Sequence, residues 1–186
     1  MSEKRTASVR PLYAWEIQEA RIVFADGLRY QQVRIHENVK WPNRINRIGM
    51  FLKRMPYVEV NNAITLGNHI HFPIQILKEK APVGHPEHYK LDWLIHELTH
   101  AWQYQHLGWK YLWMAINAQI REGKNAYDFG GVKGLKERYN KGLKLSDYNL
   151  EQQGDIARSY YLAICHGKDT SPWLPFITEL QNPPER

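Results

Sequence analysis

His96-Glu97-Leu98-Thr99-His100 is the stretch of this 186-residue chain whose residue types and spacing point most directly to a reaction. On a helix, histidines four residues apart lie about one turn apart and ~40° round, so two imidazole nitrogens can converge on one ion. Glu97 sits ~100° round from His96, close enough to reach a water on that ion without ligating the ion itself. A catalytic zinc takes three protein ligands and keeps a further position open for water. Zn²⁺ in such a site lowers the pKa of that water and polarises a carbonyl, while a carboxylate moves the proton to the leaving amine. The chemistry expected of such a site is metal-assisted amide hydrolysis, with Zn²⁺ as cofactor, Glu97 as base and a peptide or protein as substrate.

A third ligand is needed, and Glu151 is the candidate. Residues 146–167 read as a helix with Ser146 as N-cap and Leu150, Gln153, Ala157, Tyr160, Tyr161 and Ile164 at helical spacing. Glu151 and Asp155 are four apart and share a face, so one carboxylate can bind metal while the other accepts the free ring N–H of a ligating histidine, expected to be His96. His106 is the rival, ten residues after His96 as in the metzincins. Those enzymes break the helix at a glycine; here that position is Gln103, an ordinary helix former, and Gly108 comes too late. If the helix continues, His106 lies ~15 Å along the axis and ~80° off. No methionine follows Met114 to make a methionine turn. An oxyanion donor should exist, and Arg158, Tyr160, Tyr161 and His166 on or just after the second helix are the candidates. His69 and His71 share a strand face and make a possible second metal pair, although a structural or substrate-facing role suits two ligands better. His85 and His88 flank a proline loop and are read the same way. Cys165 reads as a small buried residue.

The elements that must position these residues follow from periodicity. Leu91, Leu94, Ile95, Leu98, Ala101 and Trp102 form an apolar stripe that makes the histidine segment a helix, ended at Gly108 by a glycine cap. Residues 14–25 have helical spacing stopped by Asp26-Gly27. Residues 30–36, 58–60, 63–66 and 69–72 alternate like strands, the last two joined by a hairpin turn at Gly67-Asn68. Residues 82–86 make a loop into the metal helix, 109–121 a further helix, 123–134 a glycine-rich connection and 174–180 a final helix. A small sheet, a metal-bearing helix and a mainly helical second half give an α+β class. Residues 1–11 read as a disordered arm and 12–186 as one domain.

Composition narrows the function classes. One cysteine leaves no intrachain disulfide and no cysteine-rich zinc ribbon. The net charge of +6 invites a nucleic-acid reading, but the basic residues are scattered. The densest run, residues 133–144, is broken by glycines and a glutamate and reads as a solvated loop. No nucleic-acid partner and no membrane insertion are expected: the start is polar, and the longest apolar-rich stretch is too short to span a bilayer. Synthesis in the cytoplasm without a signal peptide follows, with any later export left to a dedicated machine.

His96-Glu97-x-x-His100 with Glu151-x-x-x-Asp155 resembles the gluzincin arrangement. More closely, Trp93-Leu-Ile-His-Glu-Leu-Thr-His-Ala-Trp-Gln103 is similar to metallopeptidase-like domains attached to, or encoded beside, VgrG and Rhs proteins of type VI secretion systems. Asn62-Ala-Ile-Thr-Leu-Gly-Asn-His-Ile-His-Phe-Pro73 and Asn149-Leu-Glu-Gln-Gln-Gly-Asp155 extend the resemblance, which runs from about Ile17 to Ile164. It implies a zincin-like fold, an antibacterial effector sent to the target-cell periplasm, and VgrG/Rhs and immunity-protein partners. Gly154 departs from the alanine that such relatives more often carry. The alternatives are a zincin-shaped docking module for a secretion spike, and a DNA-associated metalloprotease.

Overall fold

Alternation along four short strands decides which face of the sheet is buried. The computed structural model describes residues 6–41, 62–110 and 128–183. Among these, the strands are β1 (Ser8–Arg10), β2 (Arg34–Glu37), β3 (Ile64–Leu66) and β4 (His69–His71). The helices are α1 (Ala14–Phe24), α2 (Tyr89–Leu107), α3 (Gly131–Asn140), α4 (Leu150–Cys165) and α5 (Leu174–Gln181). The protein is thus mixed α+β. The sheet order is β1-β2-β4-β3, with β2 and β4 parallel and the two outer pairs antiparallel. Ile35 and Ile70 pair in register and are fully buried, and Thr65 opposite Ile70 is nearly so, so this face meets α2. His36, His69 and His71 alternate onto the other face. Gly67, at φ +64°, turns β3 into β4 in the hairpin that the sequence predicts.

The helix α2 is buried on nearly every side, because β3 and β4 flank it on one side and α1 and α4 on others. Its apolar stripe, from Leu91 to Trp102, is buried throughout. Gly108 ends it at φ +65°, its N–H bonded to the Tyr104 carbonyl. The helix α4 packs along α2 more extensively than any other element does.

Four expectations are corrected. Ser8–Arg10 is not a loose arm but the edge strand β1. Its charge is consumed internally: the Arg10 guanidinium binds Glu16 at 2.7 Å and Glu37 at 3.2 Å, both carboxylates being buried. The segment 30–36 is paired strand only from Arg34. Tyr30–Gln32 is a 3-10 turn, pinned by the Tyr30 hydroxyl donating to the Ala25 carbonyl at 2.6 Å. The N-cap of α4 is Asn149, not Ser146, which lies in a 3-10 turn (Leu145–Asp147). Asn149 Oδ1 accepts from Gln152 N and Gln152 Oε1 from Asn149 N, a capping box that outcompetes a lone serine. Most of the basic run 133–144 is helical in α3, anchored by fully buried Leu135 while its lysines stay exposed. The strand at 58–60 and all but the start of the helix at 109–121 lie outside the described residues. No described helix is long and apolar enough to cross a membrane.

Candidate metal centre

Periodicity in α2 brings His96 and His100 to one side of the helix, and the packing of α4 delivers Glu151 between them. His96 Nε2 and His100 Nε2 are 3.2 Å apart, and Glu151 Oε2 is 3.3 Å from the first and 3.5 Å from the second. Zinc bonds of ~2.0–2.2 Å in tetrahedral array require ligand atoms ~3.3–3.6 Å apart, so the triangle fits that ion. Among the described residues this is the one group of three or more His, Cys, Asp and Glu side chains close enough to share a metal.

The other nitrogens of both imidazoles are engaged. His96 Nδ1 lies 3.0 Å from Asp155 Oδ1, and a carboxylate there can only accept. His100 Nδ1 lies 2.8 Å from Gln103 Oε1. With both protons on Nδ1, three lone pairs face one another at the triangle, an arrangement that repels itself unless a cation sits among them. Burial alone would lower the His96 imidazole, but its hydrogen bonds to Asp155 and Glu151, with the charges of Glu97 and Glu151, raise it to about 10. His100 is likewise lowered by burial yet raised on balance, mainly by Glu151. Burial would raise the Glu151 carboxyl, but His100 and His96 hold it far below its ordinary value. The same pull that fastens protons here would fasten a divalent ion, and the two compete.

Glu97 is buried, and Thr65 Oγ1 on β3 donates to its Oε2 at 2.7 Å. Strand β3 thus aims the side chain that the sequence nominates as base. His106 is not at the triangle. The helix runs straight through Gln103, and His106 Nε2 donates to the Gly27 carbonyl at 2.8 Å.

The oxyanion candidates are mostly employed elsewhere. Arg158 Nε binds the buried Asp92 carboxylate at 2.7 Å, and its Nη1 lies 3.9 Å from Asp155 Oδ1. The Tyr161 hydroxyl donates to Glu19 at 2.6 Å in the core, where Cys165 adjoins it. Tyr160 belongs to the hydrophobic core. His166 is exposed and bonds back to Leu162 O. On the outer sheet face His69 Nδ1 meets His36 Nε2 at 2.9 Å, while His71 stacks on His36 and meets the edge of Trp41. His85 accepts from Glu87 N, and buried His88 donates to the Ala81 carbonyl.

Two contributors escape a reading of the sequence, and a third, Gly154, shows there only as a departure from its relatives. Thr65 looked like any strand residue and Gln103 like any helix residue. A Cβ at Gly154 would lie 2.7 Å from His96 Cε1 and 2.9 Å from Nδ1, so the glycine clears room for the imidazole. The one available signal was Gly154 itself, a glycine inside an otherwise good helix and beside Asp155.

No protein-family profile matches the chain. The chain is homologous to part of a secretion spike protein. It is 32% identical over 181 residues to the type VI secretion system spike protein VgrG2b of Pseudomonas aeruginosa, a match covering 94% of this chain. The chain spans 15% of the length of that protein. The solved effector domain of Pseudomonas aeruginosa VgrG2b matches at 25% identity and a TM-score of 0.48, over 89% of this chain and 82% of that one.

Proposed function

We propose that this chain is a zinc metallopeptidase domain of a type VI secretion effector, cleaving peptide bonds in a protein or peptide of the target cell. The observation that carries the reading is the convergence of His96 Nε2, His100 Nε2 and Glu151 Oε2 within 3.5 Å, with both remaining ring nitrogens already bonded. Those three side chains would hold Zn²⁺. When bound, it supplies Lewis acidity that makes water a nucleophile near neutral pH and polarises the scissile carbonyl. Glu97, aimed by Thr65 through Oε2, has Oε1 to take the proton from water and return it to the leaving amine. Asp155 holds the His96 ring by its Nδ1 proton. The homology to a VgrG segment supports delivery by a secretion spike, with an immunity protein as the protector of the producing cell.

The test is direct. The purified chain should hold one zinc ion and cleave an unfolded protein substrate; a chelator should stop the cleavage and added zinc restore it. Glu97→Gln should retain zinc and lose at least about 100-fold in rate. Wild-type-like cleavage by that variant, or failure of the parent to take up zinc, rejects the enzymatic reading. Export of the chain to a bacterial periplasm should arrest growth, and Glu97→Gln should not; equal growth of the two rejects the effector reading.

A further inference from the structure

Two buried glutamines join the second candidate ligand to the helix that carries the third. Gln103 is fully buried and Gln153 nearly so. Gln153 Nε2 lies 3.2 Å from the Leu145 carbonyl and 3.0 Å from that of Tyr148. Backbone carbonyls only accept, so the amide of Gln153 must face them with its two N–H groups and turn Oε1 the other way. That oxygen meets Gln103 Nε2 at 3.0 Å, and the second N–H of Gln103 goes to the Leu150 carbonyl at 2.9 Å. Gln103 Oε1 is then left facing His100 Nδ1 at 2.8 Å, and an amide oxygen also only accepts.

We infer that Gln103 and Gln153 are positioning residues, a directed relay from three backbone carbonyls that keeps the proton of His100 on Nδ1 and presents Nε2 to the metal. This rests on the metallopeptidase reading and extends it to the determinants of metal affinity. Direction is what the relay contributes. All four amide N–H groups are used, and flipping either amide would set oxygen against oxygen and N–H against N–H in a buried place. The carbonyls that set it lie at Leu145, Tyr148 and Leu150, the residues leading into Glu151, so the relay also holds the second ligand in register with the third. An amide does this without charge, in a centre where Glu97, Glu151 and Asp155 already supply three carboxylates. At the position where a metzincin breaks its helix with glycine, this chain keeps the helix and uses the side chain to orient His100.

The experiment uses the whole chain with zinc as the probe. Zinc affinity is measured by competition with a chromophoric chelator, and the imidazole tautomers by long-range ¹⁵N–¹H correlation in the zinc-loaded protein. In the wild type His100 should carry its proton on Nδ1 and bind through Nε2. Gln103→Leu should bind zinc about 10- to 100-fold more weakly. Gln103→Glu, which restores an acceptor to His100 but loses the donors to Leu150 and Gln153, should recover most of that affinity while melting lower. A purely structural role would lower the melting temperature of both variants and move zinc affinity in neither. Zinc held through His100 Nδ1 in the wild type overturns the relay even if no variant folds. So does Gln103→Leu binding within two-fold of wild type, or Gln103→Glu as weak as Gln103→Leu. Wild-type protein that takes up no zinc refutes the metallopeptidase reading instead.

Discussion

Replacing Gly154 with alanine sets two effects of known size against each other. Alanine is the better helix former by about 1 kcal/mol, and Gly154 lies inside α4, so propensity alone makes Gly154→Ala stabilising. The new Cβ, however, would stand 2.7 Å from His96 Cε1, 2.9 Å from Nδ1 and 3.0 Å from Nε2. Relief to ordinary contact at 3.4 Å needs about 0.7 Å of movement, from the imidazole or from α4 as a whole. Overpacking of this kind costs roughly 1–3 kcal/mol, so metal-free Gly154→Ala should come out between unchanged and about 2 kcal/mol less stable. Metal binding has less tolerance. A ligand constellation must be held to about 0.5 Å, and either way of yielding separates His96 from Asp155 or from Glu151. Zinc affinity should therefore fall at least tenfold. Denaturation of the metal-free protein and chelator-competition titration measure the two effects separately, and the visible spectrum of the cobalt-substituted protein reports the change in ligand geometry. A Gly154→Ala protein that is more stable by its full helix propensity and binds zinc like the parent would refute the close-approach argument.

Three further outcomes follow from the same geometry. Thr65→Val keeps the side-chain shape but leaves the buried Glu97 Oε2 without its donor; a bond to a charged group is worth about 1.5–3 kcal/mol, so turnover should drop about 10- to 100-fold at unchanged zinc content, and unaltered kcat would show that Glu97 needs no such anchor. Asp155→Ala removes the acceptor from His96 Nδ1 and should weaken zinc binding about 10- to 100-fold, read by the same competition assay, with an unchanged Kd counting against the assigned ring orientation. Burial, helped by His36 and His69, lowers the His71 imidazole to about 4, whereas the unfolded chain titrates near 6.5. Its contribution to stability is thus intact above about pH 6.5, declines as the pH falls, and stops declining below about 4. His71→Phe keeps the stack on His36 and should flatten that part of the pH–stability curve relative to wild type; parallel curves would exclude His71 as a source of acid sensitivity.

Much of this arrangement was legible before any fold was known. The strand hairpin at Gly67-Asn68, the span of α2 and its end at Gly108 all follow from local rules of turn chemistry and periodicity. Where local reading failed, a long-range partner had changed the meaning of a residue. Arg10 belongs to a polar, arm-like stretch until Glu16 and Glu37 enclose it. Lys133 to Lys144 reads as loop because its charges mask the one buried contact, Leu135, that anchors α3. The N-cap differs for another reason: Asn149 and Gln152 cap each other reciprocally and satisfy two backbone N–H groups, where a lone serine satisfies one.

The sequence by itself determined which side chains share a helix face: His96 with His100, and Glu151 with Asp155. That is a consequence of 3.6 residues per turn and holds in any tertiary setting. Only the tertiary structure decided that these two faces meet, that Thr65 reaches Glu97 from a strand 32 residues away, and that Gln103 turns toward His100. The reason is physical: helical periodicity orders neighbours within a few turns, whereas contacts across 30 to 60 residues are set by which buried faces pack together. Gly154 stands between the two, a local weakness in a helix whose purpose is visible only once His96 lies against it.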